Sequence, residues 1–126
     1  MSKLIIVKQF EFAAAHRLPN HKGACQNLHG HNWTIEVGVT GPVDPETGMI
    51  ADFKQLKDLV NDHIIAHLDH QYLNETGLIG VCENPTAENM IQWMATILIH
   101  HLQKTGCELA LIKLWETSGS RCEWRA

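Results

Sequence analysis

Alternating apolar and polar side chains predict two β-strands early in the chain, over residues 4–16 and from about 29 to 40. Beta-branched and aromatic residues in both segments support strand structure. One parity of the first strand carries Phe10, Phe12, Ala14 and His16, and one parity of the second carries His29, His31, Trp33, Ile35, Val37 and Val39. Because alternate residues of a strand share a face, each apolar face is predicted to end in histidine.

These histidines are expected to meet. If the two strands pair as an antiparallel hairpin, the end of the first strand lies beside the start of the second. His16 then lies next to His29 and His31, which are two residues apart and point to one face. A metal ion is the simplest partner for three imidazoles at one point. The pattern therefore predicts a metal site at the edge of the core.

Residues 41–51 form a turn-rich connection, after which apolar positions recur at helical spacing. Asp52 is the predicted N-cap of a first helix, with Gln55 as its capping-box partner. We expect this helix to end near residues 69–74. Its predicted apolar face comprises Phe53, Leu56, Val60, Ile64 and Leu68.

A second helix is predicted to begin near Thr86, with either Asn84 or Thr86 as its N-cap, and to stop at Gly106. Two strands follow, over residues 107–117 and 120–125. The first of these strands carries Ala110, Ile112, Leu114 and Glu116 on one parity. The order ββααββ predicts an α+β fold with two helices over one face of an antiparallel sheet.

Composition narrows the class of protein. The 126 residues, 44% of them hydrophobic, suit a single domain over residues 1–126. The net charge of -4 argues against nucleic-acid binding, which needs a basic surface. We expect no membrane association, because no apolar run is long enough to span a bilayer. Without a signal-peptide pattern, a cytoplasmic protein with four reduced cysteines is expected.

The residues alone leave the kind of metal site open. Three histidine ligands with one free position describe a catalytic zinc site, which keeps a place for water or substrate. Cys25, four residues before His29, could instead complete a closed structural site with one cysteine and three histidines. As a thiol in a polar loop beside a cation, Cys25 could also be available as a thiolate.

Two further candidates have both a functional and an ordinary interpretation. Asp69 could orient His70 for proton transfer, although such residues also simply close helices. Glu116 could be a solvated carboxylate at a strand end. Alternatively, it could be a buried acceptor that binds an amidine-like ligand edge through two charge-assisted hydrogen bonds.

Five motifs then occur in order along nearly the whole chain. They are Phe12-x-Ala14-Ala15-His16-Arg17-Leu18, Cys25-x-x-x-His29-Gly30-His31-Asn32, Leu68-Asp69-His70, Asn84-Pro85-Thr86-x-Glu88-Asn89 and Trp115-Glu116-Thr117. The first three are the most specific. The set resembles the 6-pyruvoyltetrahydropterin synthase family, and within it most of all the bacterial 6-carboxy-5,6,7,8-tetrahydropterin synthases of queuosine biosynthesis.

This resemblance implies a tunnelling fold, in which ββααββ subunits assemble into an oligomeric barrel, usually a homohexamer of two trimers. The implied zinc ligands are His16, His29 and His31. Cys25 is implied as the base that removes a proton, and Asp69 with His70 as a second proton-transfer pair reaching the site from a neighbouring subunit. Glu116 is implied to bind the pterin, supported by the region of Thr86.

The implied activity is that of a zinc-dependent lyase. Its substrate would be 7,8-dihydroneopterin triphosphate, and its products 6-carboxy-5,6,7,8-tetrahydropterin, acetaldehyde and triphosphate. No cofactor beyond Zn2+ is implied. One alternative in the same family is a 6-pyruvoyltetrahydropterin synthase, which differs in its product. Another is a non-catalytic binding module stabilised by zinc, with Cys25 as the fourth ligand.

Overall fold

The two N-terminal strands form an antiparallel hairpin in the computed structural model, which describes residues 3–126. β1 spans Ile6–His16 and β2 spans His29–Thr40. Their register places His16 directly opposite His29. The predicted hairpin is therefore confirmed, and its histidines lie at the end where the strands meet.

Among residues 3–126, five strands form one sheet in the order β3-β1-β2-β4-β5. β4 (Glu108–Thr117) pairs antiparallel with β2 and with β5 (Ser120–Arg125). The short β3 (Gln71–Tyr72) runs parallel to β1 beside Ala14 and Ala15. β3 was not predicted, because 2 residues are too few to show an alternating pattern.

The first helical segment begins at its predicted N-cap but contains an irregular turn. α1 spans Phe53–Val60, and both hydrogen bonds of the capping box between Asp52 and Gln55 are present. A π-helical segment, Asn61–Ile65, continues α1 into the short α2, Ala66–Leu68. The helical segment therefore stops one residue short of the predicted region, and β3 occupies part of that region.

The spacing of apolar residues accounts for the π-helical segment. Leu56, Val60, Ile64 and Leu68 recur every four residues, and all are buried. In an α-helix of about 3.6 residues per turn, each four-residue step drifts by about 40° around the axis. The wider i→i+5 turn reduces this drift and keeps the side chains towards the sheet. Phe53, predicted to share this face, is instead 52% exposed.

The last helix, α3, spans Ala87–Leu102 and packs against β4 and β5. Its N-cap is Thr86, whose hydroxyl accepts a hydrogen bond from the Asn89 backbone N–H at 3.1 Å. Of the two predicted N-caps, Asn84 and Thr86, this contact identifies Thr86. The buried residues of α3 are Met90, Ile91, Met94, Ala95, Leu98 and Leu102.

Because of a bulge in β4, the predicted inward face of that strand is wrong at Ala110. The pairing with β2 shifts register where Gly38 opposes Leu111 and Val39 opposes Leu109, which leaves Ala110 as an extra residue. Leu109 is buried as a result, whereas simple alternation assigned this face to Ala110. The alternation is therefore valid only on the C-terminal side of the bulge.

One hydrophobic core lies between the helices and a single face of the sheet. Trp33, Ile35 and Ile112 from the sheet belong to the same buried cluster as Val60 and Met90 from the helices. The predicted α+β class is confirmed. Within residues 3–126, the structure has no helix with the length and apolar character needed to cross a lipid bilayer.

Replacing the fully buried Ile112 with alanine should lower the free energy of unfolding by about 2–5 kcal/mol, because burial is lost and a cavity remains. The same substitution at Ile79, which is 86% exposed, is the matched control. It should change this free energy by less than about 0.5 kcal/mol. Urea titrations at one protein concentration measure both variants. Equal losses would contradict the placement of Ile112 in the core.

Candidate metal centre

The strand register brings three histidine rings to one corner of the core. His31 follows His29 on the face of β2 that carries Trp33. The ring centroids are 4.6 Å apart for His16 and His29, 5.1 Å for His16 and His31, and 4.9 Å for His29 and His31. One nitrogen of each ring lies within 4.8 Å of the other two. The three residues therefore form a group that could hold a metal ion.

Backbone carbonyls determine which nitrogen of two rings is left free. His16 Nδ1 lies 2.8 Å from the Pro85 carbonyl oxygen, and His29 Nδ1 lies 2.7 Å from that of Asn27. Because a carbonyl can only accept, each Nδ1 carries the proton and donates it. Each Nε2 then presents a lone pair, as in histidines whose second nitrogen is fixed behind a metal.

The Nε2 atoms provide a test of whether these residues fit a metal. In all three histidines Nε2 is buried and has no hydrogen-bond partner among residues 3–126. Buried polar atoms are normally hydrogen-bonded. Converging, unpaired imidazole nitrogens are the ligand type that Zn2+ accepts. The residues present therefore fit a zinc ion.

Burial favours the neutral rings that a metal requires. His16 is completely buried, and desolvation lowers its pKa. Desolvation likewise lowers the pKa of His31. The Glu116 carboxylate acts on both rings in the opposite direction, but more weakly. Both imidazoles therefore stay neutral to lower pH than an exposed histidine does.

Glu116 reaches the histidines from β4. Its Oε1 lies 3.3 Å from His31 Nε2, within ion-pair distance, although the two groups are not aligned as a hydrogen bond. Pairing between β4 and β5 shifts register between Trp115 and Thr117, which leaves Glu116 as an extra residue. Bulges are frequent beside functional sites, where they redirect side chains. At 28% exposure, the Glu116 side chain remains accessible to a ligand.

Trp33 supports two of the histidines, a role that the sequence pattern did not indicate. The fully buried indole donates its N–H to the Ala14 carbonyl at 3.2 Å. Its ring stands edge-to-face to His16 at 5.2 Å and to His31 at 5.4 Å. The available signal was its position two residues after His31 on the same strand face.

Cys25 lies in the loop between β1 and β2, in a short 3-10 turn at Ala24–Gln26. The residue is partly buried, and its carbonyl accepts a hydrogen bond from the Leu18 N–H at 2.8 Å. Its sulfur does not belong to the group of converging ligand atoms. The structure therefore does not assemble the closed site of one cysteine and three histidines.

Asp69 and His70 lie between α2 and β3, beside Ala13 of β1. The Ala13 N–H donates to Asp69 Oδ1 at 3.0 Å, and the His70 N–H donates to the Ala13 carbonyl at 2.6 Å. Asp69 Oδ2 lies 3.0 Å from His70 Nδ1. The Ala13 hydrogen bond, assisted by His70, holds the pKa of Asp69 below its ordinary value. Asp69 is thus an ionised carboxylate that orients His70.

The His70 ring is accessible, with 82% of its side chain exposed. Its backbone adopts a positive φ of 60°, which is uncommon outside glycine and occurs often at functional positions. His70 and Tyr72 line a shallow groove that also includes His31 and Asn32. This groove places His70 and one candidate metal ligand on a single open surface.

Thr86 uses its hydroxyl to cap α3, and it directly follows Pro85, whose carbonyl holds His16. Sequence reasoning selected Thr86 but missed the Pro85 and Asn27 carbonyls. Every residue offers the same backbone carbonyl acceptor whatever its side chain, so residue type gives no signal for such a contact.

Comparison with known proteins gives a consistent family. Residues 5–126 match the family model for 6-pyruvoyl tetrahydropterin synthase. A 6-carboxy-5,6,7,8-tetrahydropterin synthase from Synechocystis is 43% identical over 94 residues, covering 71% of this chain and 70% of the relative. One from Haemophilus influenzae is 32% identical, with 95% and 97% covered. A dihydroneopterin monophosphate aldolase from Pyrococcus furiosus is also 32% identical, with 97% and 99% covered.

Comparison of the fold with solved structures indicates the same family. The solved 6-pyruvoyl tetrahydropterin synthase of Caenorhabditis elegans superposes with a TM-score of 0.86 at 25% identity. The match covers 100% of this chain and 97% of the other. Together, the sequence match and the shared fold show that this chain belongs to the 6-pyruvoyl tetrahydropterin synthase family.

Proposed function

We propose that the protein is a zinc-dependent lyase acting in queuosine biosynthesis. It would convert 7,8-dihydroneopterin triphosphate into 6-carboxy-5,6,7,8-tetrahydropterin, releasing acetaldehyde and triphosphate. The observation that carries this proposal is the set of three converging, unpaired histidine nitrogens. They occur in a chain that is 43% identical over 94 residues to a 6-carboxy-5,6,7,8-tetrahydropterin synthase.

In this mechanism His16, His29 and His31 would hold zinc through Nε2. When bound, zinc would supply Lewis-acid chemistry towards the side-chain hydroxyls of the substrate and acidify the adjacent C–H bonds. The Glu116 carboxylate, beside His31, would accept hydrogen bonds from the ring N–H and amino group of the pterin. The segment around Thr86 would support this pterin contact.

Proton transfer would be divided between two sets of residues. Cys25, as a thiolate, would remove a proton from the substrate side chain, since a nearby cation favours ionisation of a thiol. His70 would exchange a second proton, and the ionised Asp69 would orient its ring through the 3.0 Å contact to Nδ1. Elimination of triphosphate would follow deprotonation. Addition of one water molecule would then release two side-chain carbons as acetaldehyde and leave the carboxyl group on the pterin.

We also propose that the enzyme is cytoplasmic and works as a homohexamer of two trimers. Asp69 and His70 of a neighbouring subunit would then complete each site. The exposure of the His70 ring at the edge of the sheet supports this arrangement, because the ring is open to an approaching subunit.

Two related activities are the main alternatives. The aldolase from Pyrococcus furiosus and the Haemophilus influenzae synthase have the same 32% identity to this chain, so identity alone does not choose between them. A 6-pyruvoyltetrahydropterin product is the other alternative, given the fold shared with the Caenorhabditis elegans enzyme. A non-catalytic module with Cys25 as a zinc ligand is disfavoured, because Cys25 lies outside the ligand group.

Incubating the zinc-loaded protein with 7,8-dihydroneopterin triphosphate should consume it and yield 6-carboxy-5,6,7,8-tetrahydropterin with acetaldehyde. Mass spectrometry identifies the pterin, and trapping with a hydrazine detects the aldehyde. A pyruvoyl product would show that the protein is instead a 6-pyruvoyltetrahydropterin synthase. Preferential turnover of dihydroneopterin monophosphate would support the aldolase, and no turnover of either substrate would refute the lyase.

Replacing Cys25 with alanine should leave the fold and the zinc content unchanged and lower kcat about 10²–10⁴-fold, the usual effect of losing a proton-transfer group. His29→Ala should instead lose zinc, because it removes a proposed ligand. Metal analysis and steady-state kinetics measure both effects. Cys82→Ala, at another partly buried free cysteine, is the matched control. Zinc loss in Cys25→Ala would show that the sulfur is a ligand rather than a base.

A further inference from the structure

The carbonyl that fixes His16 belongs to a short segment with an unusual set of supports. Asn84, Pro85 and Thr86, here called the Pro85 turn, lead directly into α3. Pro85 and His16 are both buried, and the 2.8 Å hydrogen bond between them joins residues 69 positions apart. The position of the Pro85 turn therefore determines whether His16 Nδ1 has an acceptor.

Asn89, in the first turn of α3, holds the Pro85 turn on both sides. Its side-chain amide donates from Nδ2 to the Asn84 carbonyl at 2.8 Å. Its backbone N–H donates to the Thr86 hydroxyl at 3.1 Å. These two bonds reach the residue before Pro85 and the residue after it. Pro85 is thus bracketed by contacts to one residue of a regular helix.

The side chain of Asn84 does not help to hold the Pro85 turn. Its Oδ1 is buried and has no hydrogen-bond partner among residues 3–126. The Asn84 carbonyl is instead bound twice, by the Asn89 amide and by the Thr86 N–H at 2.8 Å. Proline has a fixed φ and no N–H, so the peptide planes around it must be set by neighbouring groups. Asn89 supplies the side-chain contact that sets them.

We infer that Asn89 is a positioning residue for the metal ligand His16, acting by holding the Pro85 carbonyl against His16 Nδ1. This inference rests on the proposed zinc site. Without the Asn89 amide, the Pro85 carbonyl is free to turn, and His16 loses the acceptor that keeps its proton on Nδ1. A part of the His16 population then carries the proton on Nε2, which cannot bind a metal.

Asn89→Asp tests this inference with little change in shape. It removes the Nδ2 donor and places a carboxylate at the third position of α3, where negative charge near the helix N-terminus is favourable. The helix should therefore remain formed while the contact to Asn84 is lost. We expect zinc affinity, measured by competition with a chelator, to fall about 10–100-fold, as for other residues that orient metal ligands.

Asn89→Ser is a second, uncharged variant that is too short to reach the Asn84 carbonyl, and it should weaken zinc binding similarly. The matched control is Thr96→Val on the exposed side of the same helix. It removes a comparable side-chain hydrogen bond, from Thr96 Oγ1 to the Gln92 carbonyl at 3.1 Å. This variant should bind zinc with wild-type affinity.

Nitrogen-15 NMR of the metal-free protein gives a readout that needs neither zinc nor turnover. In the wild type, His16 should be a single tautomer with its proton on Nδ1, and in both Asn89 variants it should become a mixture. The Thr96 variant should match the wild type. A purely structural role for Asn89 would change thermal unfolding without changing the His16 tautomer.

The outcomes separate this inference from the proposed function. Wild-type affinity and an unchanged tautomer in both Asn89 variants would overturn it. Lower turnover at saturating zinc, with normal affinity, would assign Asn89 to the substrate pocket and would also overturn it. If the wild type bound no zinc, the proposed metal centre would be wrong, while the tautomer measurement would still decide the role of Asn89.

Discussion

The antiparallel register between β1 and β2 is the constraint on which the candidate site depends. It sets His16 opposite His29 and leaves His31 on the same face. A slip of one residue would turn the histidines of one strand to the opposite face, because neighbouring residues alternate sides. The same slip would expose Phe12 or Trp33, which are now buried. Core burial and ligand convergence thus select one register.

The predictable features were those with a local signal. Strand alternation and histidines at the strand ends were sufficient to predict the hairpin and its three converging rings. Features set by pairing between distant segments were missed, including β3 and the bulge at Ala110. The π-helical segment had an unused signal in the four-residue spacing from Leu56 to Leu68. Carbonyl partners such as Pro85 have no residue-type signal at all.

The fold separates the proposed metal ligands from the residues proposed to transfer protons. The proposed zinc ligands lie on adjacent strands, and backbone carbonyls hold two of them from behind. Cys25 and His70 lie outside the regular strands, on connections where the chain is more accessible. A rigid ligand set costs little ordering when a metal binds. Groups that meet a changing substrate benefit from the greater freedom of a connecting segment.

The bulge at Ala110 links the number of residues in β4 to the face on which Glu116 lies. Leu109 faces the core and Glu116 faces the histidines on the same side of β4, although an odd number of residue steps separates them. In a regular strand, an odd number of steps would put these two residues on opposite faces. The extra residue Ala110 adds one step without a change of face, so Leu109 and Glu116 lie on the same side of β4. Deletion of Ala110 alone would remove the bulge and leave six steps, an even number, so Leu109 and Glu116 would still share one face of a regular strand. Deletion of one residue after the bulge, such as Lys113, would instead turn either Glu116 away from His31 or Ile112 away from the core.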